Sequence, residues 1–412
     1  MRVWKRIFPQ EPFDDARLRQ TFHWALKAVE AFLAYTQWSK DPINQRLNLV
    51  EALQQRNLAG PAARNLTKSR KLLEAETLKD ERRLRQQYQL ELQQDEHRTY
   101  YQLNEHPRFQ EIADTLDLTY LIEKLKASWN MLFHQQVYKT KFQINFLDEV
   151  LNYVQQLDLS KHPVLAIHYY GYLGIAEDDE SGQTISRLRD AVERHGKLLS
   201  EKDLRYVILM AINICITKMN QGKEPYIREA FEWYRLGLEE DSIAENGLLT
   251  RATYLNIVVN AIKLQEYDWA EAFISNYTYQ LEEDIRENTK YFAQARLSYA
   301  QKDYNTTMPL LVQVDFKHPV YNLLAKTLLL KIYYELDEFD LLESQVDAML
   351  TYIRRKTLSD LHRNNFNNIA RLTRQLSRLG PDQKKKETLN QKIRETSPLS
   401  EKKWLVEQLE KL

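Results

Sequence analysis

Glycine is the scarcest of the common residues in this chain of 412 residues, which contains only nine of them. Proteins in general contain roughly 7% glycine. Glycine supplies the positive φ of tight β-turns and lets the backbone approach a phosphate closely. A chain so poor in glycine has little capacity for β-hairpins, dinucleotide-binding turns or phosphate-binding loops. The scarcity therefore predicts a protein that is almost entirely helical.

Cysteine and long apolar runs are also scarce. The single cysteine, Cys215, leaves no internal disulfide and lies in an apolar stretch, so we expect a buried, inert thiol. The longest apolar run, residues 207–216, is about half of the ~20 residues that a membrane-spanning helix needs. The first fifteen residues lack the apolar segment of a secretory signal. These features predict a cytoplasmic protein with no membrane partner.

Net charge is absent, because 58 basic residues balance 58 acidic ones. A neutral protein does not wrap nucleic acid, which requires a strong positive field. From Glu343 to the end, however, 15 Lys/Arg stand against 9 Asp/Glu, a surplus of six. This positive surplus near the C-terminus leaves RNA or DNA as an alternative partner.

What the sequence does contain is helical periodicity with short polar breaks. In residues 251–281 the first apolar stripe has a spacing of three and four residues and consists of Tyr254, Ile257, Val258, Ala261 and Leu264. A break at Gln265 and Glu266 precedes a second stripe that begins at Ala270. Two helices joined by so short a turn must lie antiparallel and pack on each other.

The same pattern recurs further along the chain. It appears in residues 291–314, around the stretch YAQKDYNTTMPLL, and again in residues 324–350. The turn aromatics Tyr267, Tyr304 and Phe339 are 37 and 35 residues apart. A period in the middle thirties indicates an all-α solenoid, a superhelix of stacked antiparallel helical hairpins.

The residues of two hairpins resemble the tetratricopeptide repeat. They are Tyr254, Tyr267, Ala270 and Ile274 in one hairpin, and Tyr291, Ala295, Tyr304, Thr307, Leu311 and Pro319 in the next. The family's helix-contact glycine is replaced by Val258 and Ala295, and its glycine before the turn aspartate by Lys302. The whole chain also resembles bacterial helical-repeat proteins of unassigned function. The resemblance implies an interaction scaffold with a long concave binding surface.

Three segments are expected. Residues 1–110 form an N-terminal helical region, residues 111–380 the repeat array, and residues 381–412 a polar linker with a C-terminal capping helix. Within the first segment, residues 21–38 predict an aromatic-rich buried helix, and residues 41–56 a second helix that Gly60 and Pro61 break. Residues 65–103 predict a long half-exposed helix, either one rod or a hairpin broken near Thr77.

The last helix, started by Ser397 and Pro398, has Trp404, Leu405, Leu409 and Leu412 on one side. Solenoids need a capping helix to cover the final apolar face. The alternative is that this helix is a docking tail for a partner.

No constellation for catalysis, a cofactor or a metal ion emerges from the residues. The chain lacks the metal-binding, nucleophile and phosphate-loop motifs. His168 has apolar neighbours, which favours a satisfied core or groove histidine, and the acidic run 177–180 lacks the ligand spacing of a calcium loop. An enzyme with an unrecognised site in the first hundred residues is the least favoured class.

One helix face carries a candidate binding surface. In residues 361–379 the polar side chains opposite the buried stripe are Asn364, Asn367, Asn368, Arg371, Arg374 and Arg378. Asparagine can bond a peptide amide from both sides, and arginine can grip a carboxylate or phosphate. A solvated face at the end of the solenoid is the alternative interpretation.

The repeat frame extends this surface to the first helices of the two preceding hairpins, at Arg296, Tyr299, Lys331 and Tyr334. Cations interleaved with aromatic rings can hold both carboxylates and apolar side chains. The sequence therefore predicts a non-enzymatic protein–protein interaction scaffold that binds a partner segment on its concave face. A nucleic-acid-associated or regulatory protein that uses the basic C-terminal third is the alternative.

Overall fold

The structure is a computed structural model that describes residues 2–101, 108–138, 140–380 and 383–412. Across these ranges the chain forms twenty α-helices and no β-strand, so the all-α prediction is confirmed. No helix in the same ranges is long and apolar enough to cross a bilayer. Two predicted segments extend outside the described residues, at residues 102–103 of the long helix and at residues 381–382 of the linker.

The chain divides into two compact units, Met1–Ile214 and Cys215–Leu412. The division falls inside a helix and coincides with neither of the sequence-based boundaries, which stay predictions. Unit 1 contains α1 Arg2–Ile7, α2 Asp15–Ser39, α3 Pro42–Gln54, α4 Ala59–Ala75, α5 Glu81–Tyr101, α6 Phe109–Tyr138, α7 Leu147–Val154, α8 Pro163–Ala176, α9 Gln183–His195 and the start of α10 Glu201–Asn220.

Unit 2 continues α10 and contains ten further helices. They are α11 Pro225–Glu239, α12 Arg251–Lys263, α13 Tyr267–Tyr277, α14 Glu283–Ala300, α15 Tyr304–Val312, α16 Pro319–Glu335, α17 Phe339–Arg355, α18 Asp360–Ser377, α19 Gln383–Glu395 and α20 Lys402–Lys411. Short 3₁₀ segments occupy Leu159–Lys161, Gly196–Leu198 and Thr278–Gln280. In both units, helices pack mainly against their neighbours in sequence.

The prediction of a buried aromatic helix at residues 21–38 is half wrong. The segment is helical, as part of α2, but no residue of α2 is buried. Eight of its large apolar side chains have exposed fractions between 40% and 66%. The aromatic content predicted burial, but nothing in the described part of unit 1 covers these side chains.

The rest of the N-terminal region forms short hairpins. Residues 65–101 divide into α4 and α5 with a break at residues 76–80, which confirms the hairpin alternative. The helix predicted for residues 41–56 is present as α3 and ends before Gly60 and Pro61. The break itself lies at residues 55–58, because Gly60 and Pro61 occupy the first turn of α4, where proline is tolerated. Asp41 accepts hydrogen bonds from the Asn44 backbone, which begins α3, and from Gln86 of α5.

Close helix contact explains one of the few glycines. The fully buried Trp129 ring of α6 lies over Gly171 of α8. A Cβ atom at residue 171 would come within 2.3 Å of the indole ring. Any larger side chain would therefore separate α6 from α8.

In unit 2 the three turns that defined the repeat have the same backbone. Gln265, Lys302 and Asp337 have φ values of 61°, 63° and 58°, each two residues before a turn aromatic. In each turn the next amide bonds to a carbonyl five residues back, at 3.0, 2.9 and 2.9 Å. This is the Schellman C-cap, in which glycine normally supplies the left-handed residue. Each hairpin thus has the predicted turn, although a residue other than glycine occupies the left-handed position.

The C-terminal segment packs into the core of unit 2. Trp404, Leu405 and Leu409 of α20 join a buried cluster with residues of α16, α17 and α18. Leu412, expected on the same packed side, is 61% exposed. The predicted polar linker forms α19, whose Leu389 and Ile393 are buried in the same cluster.

Candidate functional site

Beside the predicted lining position Tyr299, several donors converge on one carboxylate that the sequence did not single out. Glu335, at the end of α16, accepts hydrogen bonds from the hydroxyls of Tyr299 and Tyr304. It also accepts from Lys302 Nζ at 2.8 Å and from the indole Nε1 of Trp404 at 2.7 Å. Four donors from three helices and one turn therefore converge on a single side chain.

These donors fix the charge of Glu335. Burial by itself would raise the pKa of this carboxyl group, but the hydrogen bonds from Lys302, Tyr299, Tyr304 and Trp404 outweigh burial and lower the pKa to about 2. Burial and the adjacent Glu335 charge raise the pKa of Tyr299. Glu335 is thus a fixed anion that orients the indole of Trp404.

A second carboxylate enters from the C-terminal segment. Glu401, which precedes α20, receives a 2.8 Å hydrogen bond from Lys331 Nζ. Burial would raise the pKa of Glu401, but the positive charges of Lys331, Arg296 and Lys263 lower it. Burial also lowers the pKa of Arg296, and Glu401 opposes that effect. Two of the predicted lining cations, Arg296 and Lys331, therefore face an acid of the protein's own chain.

Aromatic contacts complete this contact region. The rings of Tyr334 and Trp404 meet edge to face with centroids 5.5 Å apart. Lys331 Nζ lies 5.1 Å from the centre of the Tyr299 ring and 5.3 Å from that of Trp404. Both distances are within the range of a cation–π interaction.

Asparagines of α18 hold the stretch that leads into α20. Asn368 donates to the carbonyl oxygen of Pro398 at 3.0 Å. Asn365 donates to the Ser400 hydroxyl at 3.1 Å and accepts from the Ser400 backbone amide at 2.7 Å. An amide side chain that binds a backbone amide and a neighbouring group in this way is a peptide-binding contact.

We call these contact residues the tail site: Tyr299, Lys331, Tyr334, Glu335, Asn365 and Asn368. We call residues 396–412 the tail. The site predicted for a partner segment is thus occupied, over these residues, by a segment of the same chain.

The remaining predicted side chains lie away from the tail. Asn364 and Arg371 are exposed, and Asn367 is half-buried. Arg374 forms ion pairs with Glu343 at 2.8 Å and Asp347 at 2.5 Å, both on α17. Arg378 pairs with the same Glu343, also on α17, at 2.7 Å. The proposed face of α18 is therefore split between solvent, α17 and the tail.

Sequence reasoning missed Glu335, Glu401 and Asn365. Asn365 belongs to the same asparagine-rich stretch as Asn364, and a one-residue rotation of the helix face would have included it. Glu335 is the last residue of α16, beside the turn. Its partners come from separate helices, so no local pattern marks it.

Unit 1 contains a second set of interacting titratable groups. Lys126 Nζ lies 2.5 Å from Glu81 and 2.6 Å from Asp203, which joins α5, α6 and α10. His168 is fully buried nearby, and burial, followed by the Lys126 charge, lowers its pKa to about 4. The predicted core position of His168 is confirmed, but neither ring nitrogen has a hydrogen-bond partner among the described residues, so the histidine is not satisfied there.

The acidic run 177–180 forms the loop between α8 and α9. Asp179 accepts backbone hydrogen bonds from Ser181 and Thr184 at the start of α9. Among the described residues, no group of three or more His, Cys, Asp or Glu side chains could hold a metal ion.

Comparison of the chain with models of protein families, with curated proteins and with solved structures found no match.

Proposed function

We propose that the protein is a cytoplasmic, non-enzymatic interaction scaffold, and that its hairpins form a tetratricopeptide-like array. Its binding site is the tail site, and its ligand is a partner segment that competes with the tail. One observation carries this proposal: the stretch that leads into α20, together with Trp404, is held there by side chains of α16 and α18.

The tail indicates the chemistry of the partner. An acidic residue that contacts Lys331 is followed three residues later by a tryptophan that contacts Glu335 and Tyr334. Residues three apart lie on the same face of a helical turn. The preceding residues run along Asn365 and Asn368, which bind backbone groups and so accept many side chains. The expected partner segment therefore has the pattern acidic–x–x–aromatic at the start of a helix, after a short non-helical lead.

A labelled peptide of residues 396–412 tests the proposal. The full-length chain with Glu401→Gln and Trp404→Ala has a weakened tail, so the added peptide should bind to it more tightly than to the unaltered chain. A further Lys331→Ala change should abolish that gain, because it removes the cation that meets Glu401. Fluorescence anisotropy measures both effects.

Glu407→Gln is the matched control, since Glu407 is an exposed carboxylate of the same helix. This variant should bind no more peptide than the unaltered chain does. Equal binding by the weakened-tail variant and the control contradicts the proposal. Binding of an oligonucleotide in place of the peptide, lost steeply with added salt, would favour the nucleic-acid alternative.

A further inference from the structure

Helix α2, near the N-terminus, exposes eight large apolar side chains. Its exposed side chains are Phe22, Trp24, Leu26, Val29, Phe32, Leu33, Tyr35 and Trp38. At 25 residues it is about 37 Å long. A helix of this length with no buried residue is rarely stable alone in water, because packing of an apolar face supplies most helical stability.

The apolar residues of α2 follow a heptad spacing. Steps of four and three residues connect Leu18, Phe22, Ala25, Val29, Phe32 and Thr36. Leu26 and Leu33 lie beside this seam and widen it. A seam of alternating three- and four-residue steps is the pattern by which helices pair along their length. The polar residues, His23, Lys27, Glu30 and Gln37, lie away from the seam.

The apolar area exposed on and beside the seam approaches what a standard interface buries. A large aromatic side chain has roughly 150–250 Å² of surface, so the exposed fractions of the three rings on or beside the seam, Phe22, Phe32 and Tyr35, correspond to about 270–450 Å². The three aliphatic side chains add to this. A standard interface buries about 800 Å² on each partner, and a typical monomer's largest patch is about 300–600 Å².

We infer that α2 pairs with α2 of a second copy of this chain. Pairing of identical helices about a twofold axis covers the same seam on both copies, so one surface suffices for closure. The charges of α2 permit it, since Asp15, Arg17, Arg19, Lys27 and Glu30 leave a net charge of only one. The interface is independent of the tail site, which lies in unit 2.

Two aspartate variants of equal chemistry test the pairing. Phe32→Asp places a charge in the seam, whereas Ala34→Asp places the same charge on the polar side, at a residue that is also exposed. Light scattering after size-exclusion chromatography should give a dimer for the unaltered chain and for Ala34→Asp. Phe32→Asp should raise the dimer dissociation constant by about 100-fold or more. Circular dichroism should be unchanged outside the signal of α2, since no core residue is altered.

Cross-linking supplies a second readout. A cysteine introduced as Val29→Cys, in the middle of the seam, should form a disulfide-linked dimer under mild oxidation. The native Cys215 is buried and should not react. A monomer at all concentrations, or a dimer that persists in Phe32→Asp, overturns the inference. A monomer that sediments with phosphatidylcholine–phosphatidylserine vesicles also overturns it and would assign α2 to a lipid surface instead.

Discussion

Two helices near the ends of this chain have similar patterns and opposite environments. Helix α2 exposes its large apolar side chains, whereas α20 buries Trp404, Leu405 and Leu409 in the core of unit 2. Both were expected to be packed, α2 because it is rich in aromatic residues and α20 because its apolar residues lie on one side. The difference lies in what surrounds them: α20 meets complementary side chains on α16 and α18, and α2 meets little. An apolar stripe thus indicates that a helix needs a partner surface without indicating whether its own chain supplies it.

The tail contact also differs from the α2 surface in kind. Trp404 contributes apolar area and one directed hydrogen bond to Glu335, a buried carboxylate. Removal of the indole leaves one fewer donor for a charge that is poorly hydrated. The seam of α2 is, by contrast, almost purely apolar and gives little orientation beyond its spacing. We therefore expect the tail site to be selective and α2 to respond mainly to concentration.

The largest expected effect on stability comes from substitution of Trp404, the buried tryptophan of α20. Trp404→Ala should lower the free energy of unfolding by about 3–5 kcal/mol, because it removes a buried indole and leaves a cavity. Urea denaturation should give the same loss at every protein concentration. Phe32→Ala in α2 is the comparison variant, and its effect should appear only at concentrations where the dimer forms.

A small loss for Trp404→Ala, below about 1 kcal/mol, would mean that the tail is only loosely placed. A loss for Phe32→Ala that does not change with concentration would mean that α2 is covered within its own chain. Either result would remove the contrast between the two helices.

The second effect concerns His168, whose folded-state pKa of about 4 lies below the ordinary value of 6.5 because the ring is buried. Between these values the unfolded chain binds the proton and the folded chain does not, so stability falls as the pH falls. From pH 7 to pH 5 this one group should lower the free energy of unfolding by about 2 kcal/mol.

Chemical denaturation at both pH values measures the slope, and His168→Leu should lose that part of it. A variant that keeps the full slope would place the pH dependence in other groups. Unit 2 is the internal comparison, since its buried Glu335 has a pKa of about 2 and stays ionised throughout this pH range.

Local rules predicted much of unit 2 and part of unit 1. Helix period and turn spacing placed α12 to α17 correctly, because each hairpin is determined by contacts within about forty residues of sequence. The same rules placed Tyr299, Lys331 and Tyr334 beside one another. They could not supply Glu335 or Glu401 as their partners, since Lys331 and Glu401 are 70 residues apart. The burial of α2 was mispredicted because apolar composition favours burial but does not show whether the chain supplies a surface that covers the helix.

The smallest expected effect tests the turn that both units share. Gln265 has a φ of 61°, a conformation that costs a side-chain-bearing residue roughly 1–2 kcal/mol. Gln265→Gly should therefore raise the free energy of unfolding by about 0.5–1 kcal/mol, after the greater entropy of glycine in the unfolded chain is subtracted. Gln265→Ala, which also removes the amide but keeps the Cβ, should give no gain.

Asn57 of unit 1 occupies the same type of turn, with a φ of 55° and a 3.0 Å bond from the next amide to Leu53. Asparagine tolerates this conformation better than glutamine, so Asn57→Gly should gain less than Gln265→Gly. Paired denaturation curves for the three variants measure this order. An equal gain at both positions would show that the strain belongs to the turn itself and not to the residue that occupies it. The backbone of this turn would then be the same in both units, and only the side chains around it would distinguish a covered helix from an uncovered one.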